Sequence, residues 1–123
     1  MRPVVWLGSS RENLRRCPAT VQDTVGFALY FAQLGEKHHR AKPLGGFGGA
    51  GVLEIIADHD GDTYRAVYTV KLQKAVYVLH VFQKKSTSGI ATPKRELDQI
   101  RRRLKEAQQV DTFDDQSPAG GRR

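Results

Sequence analysis

The chain has 123 residues with 39% hydrophobic residues, which suffices for one packed domain but leaves too little apolar content for a second. A single cysteine, Cys17, excludes an internal disulfide, and no apolar run reaches the ~18 residues of a membrane helix, so we expect a cytoplasmic protein. The formal net charge of +7 and the pI of about 9.9 favour a polyanionic partner such as nucleic acid.

The first third of the chain has the pattern of one strand and two helices. The apolar, β-branched run Pro3–Leu7 predicts a strand. Ser9 and Glu12 have the spacing of a capping box, in which each side chain bonds the other's free backbone amide, so a short helix is predicted over residues 11–17. Apolar residues then recur at helical spacing over residues 18–34, which predicts a longer helix.

The next segment is predicted to be a loop without a cofactor. Residues 36–51 include GGFGGAG, but no Gly-Lys-Ser/Thr follows, so a phosphate-binding loop is rejected. His38 and His39 have no Cys or carboxylate at ligand spacing, and the segment from Asp58 lacks the glycine and glutamate positions of a calcium loop. We therefore expect no metal and no cofactor.

Three strands are predicted to follow, the first at Val52–Ala57 and the other two as a hairpin over Tyr64–Lys85, because apolar and polar residues alternate there. A two-residue connection at Gln73-Lys74 gives the hairpin one apolar and one basic face. The apolar face would hold Tyr64, Ala66, Tyr68, Val70, Ala75, Tyr77, Leu79 and Val81. The basic face would hold Arg65, Lys71, His80 and Lys84. A three-residue connection would mix the two sets, which burial disfavours, so the even connection is predicted.

Thr92-Pro93 predicts the start of a last helix, because a capping hydroxyl precedes a proline at the first helical position. One stripe of this helix is apolar: Leu97, Ile100, Leu104 and Ala107. The rest of its surface is cationic: Lys94, Arg95, Arg101, Arg102, Arg103 and Lys105. These cations form either a solvated face or a direct contact with RNA. Residues 111–123 lack periodicity, which predicts a disordered tail after a domain of residues 1–110.

Several stretches resemble the HigB-like branch of the RelE/ParE superfamily, the toxins of bacterial type II toxin–antitoxin pairs. They are Ala41–Leu44 with the glycines after it, Val52–Ile55, Tyr64–Tyr68, Val78–Lys85 and Gly89–Glu96. The resemblance covers nearly the whole chain to about Val110. It implies an α+β fold in the order β-α-α-β-β-β-α, with an antiparallel-hairpin sheet of about four strands and helices packed on one face.

The resemblance also implies site residues. Arg65 matches the family's arginine for the scissile phosphate, and Lys84 and Lys85 match a basic pair that stabilises the phosphate. Glu54 matches an acidic position without an assigned role, and the other interpretation of Arg65 is an ion pair with Glu54. The tyrosine that RelE has just past the last strand is missing here, so the general base is open. His80 is either that base or a structural residue.

Most family members are ribosome-dependent endoribonucleases that cut messenger RNA. The 2′-hydroxyl beside the scissile phosphate is the nucleophile in such a reaction, which needs no metal. The resemblance therefore implies a growth-inhibiting mRNA interferase whose targets are the ribosome and mRNA and whose partner is a helix-turn-helix, HigA-like antitoxin. RNA contacts are expected from Lys71, Lys94, Arg95, Arg101 and Arg102. The alternatives are a toxin that blocks DNA gyrase and a non-toxic adaptor of the same fold.

Overall fold

The computed structural model describes residues 1–84 and 92–116, and this part of the chain contains five strands and three helices. In chain order they are β1 (Val4–Trp6), α1 (Ser10–Arg15), α2 (Ala19–Gln33), β2 (Ala41–Pro43), β3 (Val52–His59), β4 (Asp62–Thr69), β5 (Val76–Lys84) and α3 (Lys94–Gln116). Lys85, a predicted site residue, and residues 117–123 of the predicted tail lie outside the described residues. Within the described ranges, no helix combines the length and the apolar character that crossing a bilayer demands.

The strands form one mixed sheet in the order β1-β5-β4-β3-β2. β1 runs parallel to β5, and the other neighbouring strands are antiparallel. The predicted sheet of about four strands therefore lacked β2, and the parallel pairing of β1 with β5 was not predicted. β2 has only three residues and includes Pro43. Proline lacks a backbone amide hydrogen, which is tolerated in an edge strand, but its presence in a sequence argues against predicting a strand.

Helices pack on both faces of the sheet, so the prediction of helices on one face is wrong. α2 buries residues such as Val25 against one face, which we call the α2 face. α3 buries Ile100 against the opposite face, the α3 face. All residues of β5 from Val76 to Phe82 are buried, and a continuous buried run is typical of a strand that is covered on both sides.

A β-bulge in β5 changes which side chains share a face. Val67 pairs with His80, but the next residue of β4, Tyr68, pairs with Val78. Leu79 is therefore an extra residue in β5, and the bulge shifts the register by one position. Side chains alternate between the two faces with a period of two. The residues of β5 between the bulge and the hairpin connection therefore lie on the opposite face from the one that they would have in a hairpin without a bulge.

The predicted register is confirmed only on one side of this bulge, where Ala66 lies opposite Val81. On the other side Tyr77 and Leu79 belong to the core under α3, and not to the face of Ala66 as predicted. The connection is also longer than the predicted two residues, since it comprises residues 70–75. An apolar pattern fits either face of a sheet covered on both sides, so it could not reveal the shift.

The last helix continues beyond its predicted end. Asp111 is only 4% exposed. Its carboxylate accepts hydrogen bonds from the backbone amides of Gln73 and Lys74 at 3.0 and 2.8 Å and from the hydroxyl of Tyr77 at 3.0 Å. The predicted disorder from residue 111 onward is therefore wrong for residues 111–116, because a buried polar anchor there replaces the missing apolar pattern.

α1 takes the place of a strand along the outer edge of β5, where β1 ends. The hydroxyl of Ser10 donates to the carbonyl of Val78 at 3.3 Å, and the amide of Asn13 donates to the carbonyl of Val81 at 3.0 Å. Ser9 precedes the helix, as predicted, but makes no side-chain capping bond. The helix is therefore held by the sheet edge, and the predicted capping box is not formed.

Candidate active site

Arg65 occupies the centre of the candidate site, on the α3 face of β4 opposite Phe82. Its Nη1 atom donates to Oε1 of Glu54 at 2.9 Å and to the hydroxyl of Thr92 at 3.0 Å. The Arg65 and Glu54 side chains are only 8% and 7% exposed. The ion pair that was one interpretation of Arg65 is therefore present, and the arginine also joins β4 to the residue two positions before α3.

His80 lies on the same face and contacts the first turn of α3. Its Nε2 atom is 2.7 Å from Oε1 of Glu96, and its ring stacks on Phe82 with 4.9 Å between ring centroids. A carboxylate can only accept, so the neutral ring carries its proton on Nε2 and its lone pair on Nδ1. Nδ1 is buried and has no hydrogen-bond partner among the described residues.

The pKa of His80 is lowered by burial and to a smaller extent by the charge of Arg103, while the hydrogen bond and the charge of Glu96 act in the opposite direction. The balance favours the neutral imidazole at neutral pH. A neutral ring with a fixed tautomer has the properties of a general base.

Lys84 completes the group at the end of β5, opposite Thr63. It is 4% exposed, and its Nζ atom has no hydrogen-bond partner in the described part of the chain. Burial and the neighbouring charge of Arg65 lower its pKa, against an opposing effect of Glu54. A lysine with a lowered pKa releases its proton more readily than an exposed one, which suits proton transfer.

These residues form one buried site, which we call the mixed-charge cluster. Its members are Glu54, Arg65, His80, Lys84, Thr92 and Glu96. Arg65 lies opposite Phe82, so His80 and Lys84 are its diagonal neighbours, at about 7–8 Å between Cα atoms. The predicted basic face is therefore not an exposed surface at Arg65, His80 and Lys84, which are all buried. The first turn of α3 covers this face, and two carboxylates lie among the cations.

Residues 12–105 match the model of a family described as Phage derived protein Gp49-like (DUF891). The chain belongs to this family. Comparisons with curated proteins and with solved structures gave no significant match. The Gp49-like family lies among the RelE/HigB-like toxins and is associated with toxin–antitoxin systems, so the resemblance of the sequence to that group of toxins is confirmed at the level of the family.

The predicted RNA-binding cations of this Gp49-like protein fall into two places. Lys71 donates to the carbonyl of Gly49 at 3.0 Å, and the guanidinium of Arg101 lies 5.3 Å from the ring centroid of Phe47. Both therefore flank the glycine-rich segment. Lys71 follows the end of β4 that is distant from Arg65, so it does not share the site with it.

The other predicted RNA-binding cations lie on the N-terminal half of α3. Lys94 is 87% exposed and pairs with Asp98 at 3.0 Å, and Arg102 donates to Gln99 on its own helix. Arg95 is 89% exposed, and its Nη2 atom lies 3.9 Å from Oε2 of Glu96. Of the five predicted cations, Arg95 is thus the one in contact with a member of the mixed-charge cluster.

Sequence reasoning missed two members of this cluster in the Gp49-like protein. Glu96 had no predicted role, and Thr92 was predicted to cap α3 but accepts a hydrogen bond from Arg65. The position of Glu96 in the first turn of a predicted helix was the available signal. Among the described residues, no three His, Cys, Asp or Glu side chains are grouped as a metal site would require.

Proposed function

We propose that this protein is the HigB-like toxin of a type II toxin–antitoxin pair and that it cuts messenger RNA on the ribosome. The observation that carries the proposal is the convergence of Arg65, Lys84 and the His80–Glu96 pair on one face of the sheet. RNA cleavage through the 2′-hydroxyl needs a base, a phosphate-binding group and a proton donor. The diagonal positions of His80 and Lys84 relative to Arg65, at about 7–8 Å between Cα atoms, support a site in which one nucleotide contacts all three.

His80 acts as the base in this proposal. Glu96 holds the proton on Nε2, so Nδ1 accepts the proton of the 2′-hydroxyl. The 2′-oxygen then attacks phosphorus while the bond to the 5′-oxygen breaks, which gives a 2′,3′-cyclic phosphate and a 5′-hydroxyl. The carboxylate of Glu96 offsets the positive charge that develops on the imidazole ring.

Arg65 and Lys84 act on the phosphate. The guanidinium binds the non-bridging oxygens through its planar fork of donors, and the ammonium of Lys84 gives a proton to the departing 5′-oxygen. The lowered pKa of Lys84 supports its role as donor. Lys85, the next residue in the chain, is proposed to add positive charge beside it.

Binding of RNA must exchange some contacts of the free protein. Arg65 and Lys84 are 7% and 4% exposed, and Thr92 occupies one of the guanidinium donors. The phosphate therefore replaces the Thr92 hydroxyl on Arg65. The Glu54 carboxylate keeps the guanidinium in place during this exchange.

The same burial is the observation that favours a second candidate function. A buried arginine in contact with a carboxylate is typical of a structural ion pair, and a toxin that blocks DNA gyrase needs no catalytic group. In that case the basic surface binds its target without chemistry. The two candidates differ in the RNA ends that they produce in cells.

Induced expression with mapping of new RNA 5′ ends tests the nuclease. We expect new ends within translated messages, with a 2′,3′-cyclic phosphate on the upstream fragment, and no ends after His80→Ala or Lys84→Met. Lys37→Met, at an exposed lysine between α2 and β2, is the matched control and should cut normally. DNA damage without new RNA ends would contradict the nuclease and support the gyrase alternative.

A partner antitoxin follows from membership of a toxin–antitoxin family, and we propose a helix-turn-helix, HigA-like protein encoded beside this gene. Co-expression of the neighbouring gene should relieve growth arrest, and the two proteins should co-purify. Cleavage of a purified message should require ribosomes. If the two products do not associate, the assignment to a type II pair is wrong.

A further inference from the structure

A groove of about 350 Å³ runs along the edge of β5 beside the mixed-charge cluster. Its floor is the stretch His80–Gln83, where β1 has ended and no described strand lies beside β5. Glu96 lines the groove on the side of the α3 face. Arg16 and Tyr64 line it on the side of α1 and the α2 face. The groove therefore leads from the protein surface to the predicted base.

The groove has the chemistry of a site for one unpaired nucleotide. Tyr64 is half-buried and offers an aromatic ring for stacking, and Gln83 is exposed with an amide that both donates and accepts. Arg16 is exposed on one rim, and Arg95 lies beside Glu96 on the other. Sites for single-stranded nucleic acid combine such cationic rims with aromatic platforms.

Size and shape narrow the ligand further. A volume of about 350 Å³ is near the lower limit of the about 300–1,000 Å³ found for small-ligand pockets, which suits one nucleotide. A paired base is already stacked within its helix and cannot reach an aromatic wall. The groove therefore selects unpaired RNA.

We propose that this groove binds the nucleotide next to the scissile phosphate, with its base on Tyr64 and its outer phosphate at Arg16. The inference rests on the proposed function, since it places the 2′-hydroxyl of this nucleotide at His80 and the scissile phosphate at Arg65. It assigns the recognition of single-stranded RNA to the β5 edge, where none of the predicted RNA-binding residues except Arg95 lies close to the site.

Binding of an uncleavable RNA by the full-length protein tests the groove. The probes are fluorescein-labelled hexauridine and hexaadenosine with 2′-O-methyl groups, which lack the nucleophile. Tyr64→Leu should weaken binding about 5- to 150-fold, because stacking on an aromatic residue is worth ~1–3 kcal/mol per base. Tyr64→Phe keeps the ring and should bind as the wild type does.

Arg16 is tested through the salt dependence of binding. Arg16→Gln should reduce the slope of log K against log salt concentration by about 0.7, the value for one phosphate contact on a single strand. Arg11→Gln is the control, because Arg11 is an exposed arginine of α1, the helix just before Arg16, and does not line the groove. Equal slopes for both variants, or wild-type binding by Tyr64→Leu, would overturn the proposal.

Cys17, the sole cysteine, lines the groove and reports its occupancy. Saturating hexauridine should slow the alkylation of Cys17 by N-ethylmaleimide, whereas a self-complementary RNA duplex should not. Protection by the antitoxin but by neither oligonucleotide would identify a protein-binding groove and overturn the proposal.

Failure of this proposal can be told from failure of the proposed nuclease. Tyr64-dependent binding by a protein that generates no new RNA ends in cells contradicts the nuclease and supports the groove. Normal cutting of messages by Tyr64→Leu and Arg16→Gln, with unchanged binding of the probes, contradicts the groove alone.

Discussion

Nε2 of His80 lies 2.7 Å from Oε1 of Glu96, and this hydrogen bond joins the bulged part of β5 to the first turn of α3. The two residues are 16 positions apart in the sequence and come from different elements. The contact determines which ring nitrogen carries the proton, because a carboxylate cannot donate to the imidazole. It also holds the first turn of α3 against the side chains that share a face with His80.

Glu96→Gln should separate the charge of Glu96 from its hydrogen bond. The Glu96 charge raises the pKa of His80, so its removal should lower this pKa further. If neutral His80 is the base, the rising limb of the pH–rate profile moves to lower pH. The maximal rate should fall by less than the about 10²–10⁴-fold that loss of a general base costs.

NMR titration of the His80 ring and single-turnover cleavage of ribosome-bound message measure the two effects. Glu36→Gln, at an exposed carboxylate, is the control and should change neither quantity. An unaltered His80 pKa in Glu96→Gln would show that the charge of Glu96 does not reach the ring.

The buried ion pair predicts a non-additive double-mutant cycle. Arg65→Met leaves Glu54 buried and unpaired, which should cost about 3–5 kcal/mol of the free energy of unfolding. The double variant Glu54→Gln, Arg65→Met removes both charges and should recover much of this loss. Both variants that lack Arg65 should be non-toxic. The double variant should therefore be stable but inactive. Urea denaturation and growth assays measure the two, and simply additive costs would argue against the pair.

Lys84→Met should abolish toxicity without loss of stability at pH 7. The pKa of Lys84 is lowered in the folded state, so the unfolded chain binds the proton more tightly between that pKa and the ordinary value of about 10.4. The positive charge on Lys84 therefore destabilises the fold at neutral pH, and this effect disappears as the pH rises through the interval. The urea midpoint of the variant should equal or exceed that of the wild type at pH 7, and the difference should shrink near pH 10. A lower midpoint at pH 7 would contradict this.

Asp111→Asn should loosen the connection between β4 and β5. The loss of charged hydrogen bonds to Gln73, Lys74 and Tyr77 should cost about 1–3 kcal/mol of the free energy of unfolding at pH 7. Burial alone would raise the pKa of Asp111, but these hydrogen bonds lower it overall. The stabilisation is therefore complete above the ordinary pKa of about 3.9 and is lost as the pH falls through the folded value.

Urea denaturation at pH 7 and near pH 2 tests this dependence, and the two proteins should converge at the lower pH. Thr112→Ala, at the next and exposed residue, should stay within about 0.5 kcal/mol of the wild type. A chain that ends after Gln116 should keep the wild-type midpoint, whereas one that ends after Val110 should lose the anchor.

Elements with a strong local pattern were predictable from the sequence. The apolar spacing over residues 18–34 predicted α2, which spans Ala19–Gln33. The parallel pairing of Val4–Trp6 with Val76–Val78 was not predictable, because it joins segments from opposite halves of the chain. Local alternation carries no information about such a partner.

The candidate site was predictable in part. Arg65, His80 and Lys84 share a face as predicted, because all three lie on the side of the bulge where the predicted register holds. Their burial, and the contact of His80 with Glu96, depend on which face α3 covers. α3 covers the face on which Tyr77 and Leu79 lie. The sequence does not reveal this face, because apolar residues fit both faces of a sheet that is covered on both sides.

The bulge at Leu79 also constrains how this family can vary. Loss of Leu79 would remove the bulge and return the hairpin to simple alternation. Val78 would still lie opposite Tyr68, so Tyr77 would stay in the core under α3 and the side chains near Lys84 would keep their face. A relative without the bulge, aligned from Val76 onward without a gap, would then match residues that face opposite ways. A reliable alignment of Gp49-like chains must therefore count residues from Arg65 and from His80 outward, and treat Leu79 as an insertion column.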